Sequence, residues 1–151
     1  YMGVGVVQKG DEIYQYYCGY DVTHGEKRYV PPRFPRGSIY RLVQRLDGFV
    51  SADASYEGAE FITPPILFTG KNLVLNIDTS ATGQARIEIL GSDKKPVDGY
   101  SASDCDLIQE NSTAKAVSWK GNPDISQFSG KPVRLHFAMC NTKLYAFGVR
   151  S

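Results

Sequence analysis

Paired carboxylates are the first residues of this sequence that could do chemistry. Glycoside hydrolysis, for example, needs two carboxyl groups about 5 to 9.5 Å apart across the bond that breaks. Asp11 and Glu12 are adjacent in a predicted turn, and on a strand they would point to opposite faces. Asp104 and Asp106 would share one face, but the residues around them do not indicate a cleft. We therefore predict no catalytic pair and interpret these carboxylates as solvated turn charges.

Four side chains in the first forty residues are candidates for binding a sugar. Tyrosine offers a flat ring and a hydroxyl, histidine donates hydrogen bonds or moves protons near neutral pH, and arginine binds anionic groups with two parallel hydrogen bonds. The candidates are Tyr17, Tyr20, His24 and Arg36. A simpler interpretation stays open for each: the tyrosines pack between strands, His24 caps backbone groups in a loop, and the arginine belongs to a solvated edge.

The tyrosines and the basic residues are distributed unevenly along the chain. Seven of the ten tyrosines lie in the first 40 residues, and six basic residues lie between positions 27 and 45. The basic group could bind a carboxylated or sulfated sugar, or a phosphate. The whole chain of 151 residues has 17 basic and 16 acidic residues. This balance argues against a nucleic-acid partner, because such partners usually require a clear basic surplus.

Thiol and metal chemistry have weak signals in this sequence. The three cysteines, Cys18, Cys105 and Cys140, form no CxxC motif and have no histidine at a zinc-site spacing. We prefer three reduced thiols, with Cys18 and Cys140 buried in strands, over one disulfide and a free thiol. No cofactor is predicted. A structural calcium ion stays open, because five aspartates could supply oxygen ligands although none has EF-hand spacing: Asp47, Asp53, Asp104, Asp106 and Asp124.

Membrane and targeting signals are not found in the sequence. No run approaches the roughly 20 apolar residues that a membrane helix needs, so we predict no membrane span. No stretch combines the charged and apolar regions of a signal peptide. Because the chain opens at Tyr1 directly in a strand-like pattern, we expect it to be a piece of a longer protein.

Four segments of the last two-thirds alternate apolar and polar residues with period two. They are Asn72–Asp78, Gln84–Leu90, Val133–Met139 and Lys143–Arg150. This alternation predicts antiparallel strands with one face on a core and the other in water. The Gly-, Asn- and Pro-containing turns between them are typical of a β-sandwich or jelly roll.

The same pattern assigns positions to individual residues. Trp119 is predicted in the core, on a strand beside Val117, and His136 on an exposed sheet face. Asp124–Phe128 is predicted to form one helical turn after Pro123. The outward set of the strands includes Asn76, and the apolar set of the last strand is Tyr145, Phe147 and Val149.

The first third of the sequence has a different organisation. Gly3–Gln8 and Glu12–Cys18 are β-rich runs joined by a hairpin signal, and Ser38–Gln44 resumes a strand after a proline-rich stretch. We predict an all-β chain with two parts, a hairpin-rich segment over residues 1–46 and an antiparallel, jelly-roll-like β-sandwich over residues 47–151. About 45 residues are too few for a separate core. The segment must therefore pack on the sandwich, on another copy, or within a larger body.

Two strings of the first third resemble a known family. Gly10–Tyr17, followed by Thr23–Gly25, resembles the last blade of the glycosidase-like, five-bladed β-propellers of the furanosidase superfamily, with Tyr14 where Trp is common. Arg45–Ser51 resembles the exit from such a propeller into its appended β-sandwich. Three later strings are similar to that sandwich: Ser118–Gly121, Asp124–Ser126 and Gly130–Leu135.

The resemblance implies a function for the chain. In that superfamily the catalytic carboxylates come from earlier blades, which this sequence does not contain. The chain would then be a non-catalytic C-terminal module that completes or braces a carbohydrate-binding propeller, with His24 near the central funnel. An extracellular or periplasmic location would follow. Two alternatives stay open, a stand-alone carbohydrate-binding or adhesion module and a small enzyme that uses His24 with a carboxylate.

Overall fold

A computed structural model describes residues 3, 5–21 and 37–151 of the chain. All strand pairs in these ranges are antiparallel, and the helical structure in them is one 3₁₀ turn, Ser126–Phe128. The predictions of an all-β chain and of this single turn are confirmed. The chain divides into two compact units, Tyr1–Gly48 and Phe49–Ser151.

The first unit contains one three-stranded sheet. Its strands are β1 (Val7–Lys9), β2 (Glu12–Tyr20) and β3 (Gly37–Arg45), in the order β1-β2-β3. Lys9 pairs with Glu12, so the predicted hairpin turns on two residues, and Gly10 has the positive φ of 59° that glycine adopts at such a turn. Strands β2 and β3 pair without a register shift from Glu12–Arg45 to Tyr20–Gly37.

The second unit contains two antiparallel sheets. One has the strand order β4-β10-β6-β8 and the other the order β5-β9-β7. Consecutive strands along the chain therefore alternate between the two sheets. The bounds are β4 Ala52–Ala54, β5 Ala59–Ile62, β6 Asn72–Asp78, β7 Gln84–Leu90, β8 Asn111–Ala116, β9 Arg134–Cys140 and β10 Thr142–Arg150.

Both sheets of the second unit contribute to one hydrophobic core, an arrangement compatible with a β-sandwich. Trp119 is 3% exposed and donates its indole N–H to the Ile87 carbonyl oxygen at 2.9 Å, which confirms its predicted place in the core. Its ring also contacts Tyr100 at 5.2 Å between centroids. The strand residues with no exposed surface are Leu73, Leu75, Ile77, Ile87, Ile89 and Phe137.

Several predicted positions differ in the structure. The register between β10 and β6 shifts between Leu144 and Ala146, so β10 does not keep one alternation and Leu144 is buried on the same face as Phe147. Phe147 contacts the Phe137 ring but is 39% exposed. Asn76 is buried instead of facing water. The strand predicted around Val117 ends at Ala116, and Trp119 takes part only in isolated bridges.

The three cysteines are reduced thiols in the structure, with no disulfide between them. Cys105 is the buried one, whereas Cys18 and Cys140 are only partly buried, contrary to the expectation for those two. Burial raises the pKa of the Cys105 thiol, because an apolar environment disfavours the thiolate. The Cys105 sulfur accepts a hydrogen bond from the Ile87 amide at 3.3 Å, so this cysteine is part of the core.

Candidate functional site

The two described sugar-binding candidates lie on opposite faces of β2. Tyr17 pairs with Tyr40 across the ladder, and their rings stack with centroids 5.2 Å apart and planes inclined by 21°. Tyr20 is three residues further along the strand, hence on the other face, and is 54% exposed. His24 and Arg36 lie outside the described residues. One face of the Tyr17 ring is covered by Tyr40, so the structure does not join Tyr17 and Tyr20 in one platform.

A second tyrosine of β2 interacts with the basic group of the sequence. The Arg41 guanidinium lies 4.5 Å from the centroid of the Tyr14 ring, a cation–π distance. The Tyr14 hydroxyl donates a hydrogen bond to Glu12 at 2.9 Å, and this bond raises the pKa of the tyrosine. Arg41 and Tyr14 therefore bind each other across β2 and β3.

Apolar side chains are exposed on both faces of this first sheet. Ile39 is 77% exposed on the face of Tyr14, and Val43, the cross-strand partner of Tyr14, is exposed on the same face. Tyr40 and Leu42 are 48% and 44% exposed on the face of Tyr17. An antiparallel sheet with one solvent face normally presents polar side chains there. In this sheet, exposed apolar side chains lie on both faces, although Glu12 and Arg41 also lie on the face of Tyr14.

A polar cluster lies on the outer face of sheet β5-β9-β7 in the second unit. His136 Nδ1 lies 2.6 Å from Glu88 Oε2, and His136 Nε2 lies 3.3 Å from Glu60 Oε2. The Ala102 amide donates to the other Glu88 oxygen at 2.8 Å. Burial alone would raise the pKa of Glu88, but the hydrogen bonds from His136 and Ala102 hold that pKa below its usual value.

The setting of His136 corrects the expectation of an exposed histidine. The residue does point outward from the sheet, but only 18% of its side chain is exposed. Its two carboxylate neighbours come from the flanking strands, β5 for Glu60 and β7 for Glu88. The cluster therefore links all three strands of this sheet.

A cleft of about 420 Å³ opens beside this cluster. Glu57 and Glu60 lie on one wall, Gln84 and Arg86 on the other, and Ala138 and Cys140 of β9 between them. Ala138 pairs with both Glu60 and Arg86, so these three residues form one row across the sheet. Because the Ala138 side chain is small, the surface of the sheet is recessed between Glu60 and Arg86.

Backbone hydrogen bonds hold the glutamate wall in place. The Gly58 amide donates to the Ser55 carbonyl at 3.0 Å, and Gly58 has a φ of 87°, which closes a tight turn that presents Glu57. The Asn141 amide donates to the same Ser55 carbonyl at 2.8 Å. The Cys140 thiol donates to the Tyr56 carbonyl at 3.1 Å. The turn is thus fixed to the end of β9.

The opposite wall is held by Arg86. Its Nη1 donates to the Ala102 carbonyl at 3.1 Å and also to the Cys105 carbonyl. Arg86 makes no ion pair with Glu60 or any other described carboxylate. The cleft therefore has a carboxylate wall and a guanidinium wall that are not paired with each other.

The aspartates predicted as solvated turn charges have structural partners. Asp104 accepts from Ser101 Oγ at 2.7 Å and pairs with Lys120 at 2.6 Å. Asp106 accepts from the Gly121 amide at 2.8 Å. Hydrogen bonds lower the pKa of both carboxyl groups, with Lys120 the largest cause for Asp104 and Ser118 for Asp106.

Within residues 3, 5–21 and 37–151, no three His, Cys, Asp or Glu side chains are grouped so that they could hold a metal ion. No helix in the described part of the chain is long and apolar enough to cross a membrane.

Comparison with known proteins finds no relative of this chain. The chain matches no protein-family model, no curated protein and no solved structure. The cleft beside His136 was missed from the sequence because Glu60 and Glu88 are 76 and 48 residues away from that histidine.

Proposed function

We propose that this chain is the non-catalytic C-terminal module of a glycoside-hydrolase-like protein. In this proposal the sheet β1-β2-β3 belongs to the last blade of a five-bladed β-propeller, and the second unit is the appended β-sandwich. The observation that carries the proposal is the exposure of apolar side chains on both faces of the first sheet, with Ile39 on one face and Leu42 on the other.

A propeller blade is a sheet that needs cover on both faces. Blades repeat radially around a central channel, so neighbouring blades pack against both faces of each sheet. Burial of the apolar side chains is favourable by about 25 cal/mol for each Å² removed from water. A sheet of three strands with apolar residues on both faces has the composition that such a position requires. An ordinary half-exposed antiparallel sheet does not.

The strand order of the second unit supports a jelly-roll-like sandwich. Its seven strands alternate between the two sheets at every connection, and the last strand, β10, lies between β4 and β6. The place beside β7 is partly filled by the segment before β8, because Ala85 and Ile108 exchange both backbone hydrogen bonds at 3.0 and 3.1 Å. An eight-stranded jelly roll with one irregular strand would have these neighbours.

The sequence resemblance supports the non-catalytic part of the proposal. Hydrolysis would use carboxylates from earlier blades, while this module would complete the propeller and brace its carbohydrate cleft. In this proposal Glu60 and Glu88 take no part in that chemistry and instead bind His136 in the second unit. The location would be extracellular or periplasmic.

The gene tests this proposal most simply. The reading frame upstream of the Tyr1 codon should continue into further blade-like repeats that contain the catalytic carboxylates, and should begin with an export signal. A stop codon immediately upstream, or an upstream sequence without blade repeats, would overturn the proposal.

A further inference from the structure

We infer that the cleft beside His136 is a binding site for a neutral, polyhydroxylated ligand, that is, for a sugar. The inference concerns the second unit alone and does not depend on the first sheet being a propeller blade. It would give the module a carbohydrate site of its own, beyond the architectural role proposed above.

The hydrogen-bonding groups of the two walls determine the ligand class. Glu57 and Glu60 are acceptors when ionised, Arg86 is a donor, and Gln84 is both. A hydroxyl group donates and accepts, so adjacent hydroxyls can serve both walls at once. A protonated amine would be attracted by the glutamates but repelled by the positive charge of Arg86. A carboxylate would be attracted by Arg86 but repelled by the negative charges of the glutamates. A neutral polyol is therefore the best match.

Two of these side chains are available for a ligand. The side chains of Glu57 and Gln84 are exposed and form no hydrogen bond with any other described residue. Glu60 has one contact, the 3.3 Å approach of its Oε2 to His136. Planar groups with two acceptor or donor atoms can engage two neighbouring hydroxyls at once.

The dimensions of the cleft suit a sugar. Glu60 and Arg86 are separated by one strand, which places their backbones roughly 10 Å apart because neighbouring strands are about 4.8 Å apart. The volume of about 420 Å³ lies within the range of about 300–1,000 Å³ that is common for small-molecule sites. Ala138, low between the two walls, provides an apolar surface for the ring.

The cleft is also rigid before a ligand arrives. Its polar residues stand on strands or on the anchored Ser55–Gly58 turn, Arg86 is held by two carbonyls, and Glu60 is held by His136. Sites built on strands keep their geometry better than sites on loops. A preorganised site loses less conformational entropy on binding.

The test is a titration of the ¹⁵N-labelled 151-residue chain with a panel of neutral mono- and oligosaccharides, followed by NMR. We expect at least one sugar to shift the Gln84 side-chain amide and the Ala138 amide. Gln84→Ala removes an exposed side-chain amide, and Ala138→Leu fills the cleft. Each should raise the dissociation constant of that sugar roughly tenfold or more. Ala114→Leu is the matched control, an exposed position on β8 of the other sheet, and should leave the affinity unchanged.

Several results would overturn the inference. These are no binding by any neutral sugar, binding with shifts confined to other residues, and binding that Gln84→Ala and Ala138→Leu leave intact. Spermidine and citrate serve as charged probes, and a preference for either one over every neutral sugar would also overturn it. A thermal unfolding curve for each variant shows that the folded chain was tested. None of these results depends on the upstream reading frame.

Discussion

His136 Nδ1 lies 2.6 Å from Glu88 Oε2, across the ladder that joins β9 to β7. The other ring nitrogen faces Glu60 on β5, so one histidine connects three strands that are distant in sequence. The same face of the sheet carries the cleft proposed to bind a sugar. The cluster therefore contributes both to the stability of the sheet and to the shape of the site.

Glu88→Gln should destabilise the second unit by about 1.5–3 kcal/mol at neutral pH, as expected for hydrogen bonds to a charged group. The folded chain lowers the pKa of Glu88 below its ordinary value of 4.5. Its stabilisation is therefore present above that pH and is lost as the pH falls through the folded-state value. Urea unfolding at pH 7 and pH 3 measures the difference between the two chains, which should shrink at pH 3. Glu57→Gln is the control, and a pH-independent difference for Glu88→Gln would contradict this explanation.

Gly83→Ala should be strongly destabilising. A Cβ at this buried glycine would lie 2.1 Å from the Asn141 carbonyl oxygen and 2.3 Å from that of Thr79. Because these are backbone atoms, relief requires movement of the β9–β10 turn, and we expect a loss of about 1–3 kcal/mol or more. Gly148→Ala is the matched control, since a Cβ there meets nothing within 4 Å. Equal unfolding midpoints for the two variants would show that the turn is not tightly packed.

Trp119→Ala should lower the free energy of unfolding by about 3–5 kcal/mol, the usual range for a large aromatic residue removed from a core. The substitution removes the hydrogen bond to the Ile87 carbonyl and the contact with Tyr100. Trp119→Phe keeps most of the packing and should cost less. Because Trp119 is the only tryptophan of the chain, circular dichroism should follow unfolding instead of fluorescence. A Trp119→Ala variant as stable as the parent chain would contradict the placement of Trp119 in the core.

The exposed apolar faces of the first sheet should make the isolated chain bind a hydrophobic dye such as ANS. The double substitution Ile39→Ser and Leu42→Ser, one change on each face, should reduce the dye fluorescence and any self-association seen by sedimentation. Leu67→Ser is the control, since Leu67 is a similarly exposed residue of the second unit, at 69%. Unchanged dye binding in the double variant would show that these faces are covered in solution.

Period-two alternation predicted the regular strands well but could not give their partners. Strands β6 and β7 have the predicted bounds, because seven residues of clear alternation lie between turn residues. Strand β5 was missed because it has four residues, and β8 was predicted too late in the chain, around Val117, because its own sequence, NSTAKA, is mostly polar. The register shift in β10 places Leu144 on the same face as Phe147, which simple alternation excludes, and nothing in the local sequence marks it.

The candidate site was harder to predict than the fold. Sequence reasoning selected tyrosines and basic residues of the first unit, because their types suggest binding. The cleft depends instead on Ala138 facing both Glu60 and Arg86, and this row exists only once β5, β9 and β7 are in register. A small residue between two charged ones on separate strands has no local signal.

Hydroxyl-radical footprinting tests the central claim, that the first sheet is covered on both faces when it stands in the proposed propeller. Tyr16 and Tyr40 report on opposite faces, with 45% and 48% of their surface exposed in this chain, and Tyr56 of the second unit is a 79% exposed reference. Compared with the isolated chain, the longer protein that we propose, with the preceding blades attached, should show both tyrosines oxidised several-fold more slowly and Tyr56 unchanged. Equal oxidation rates for Tyr16 and Tyr40 in the two proteins would contradict the account.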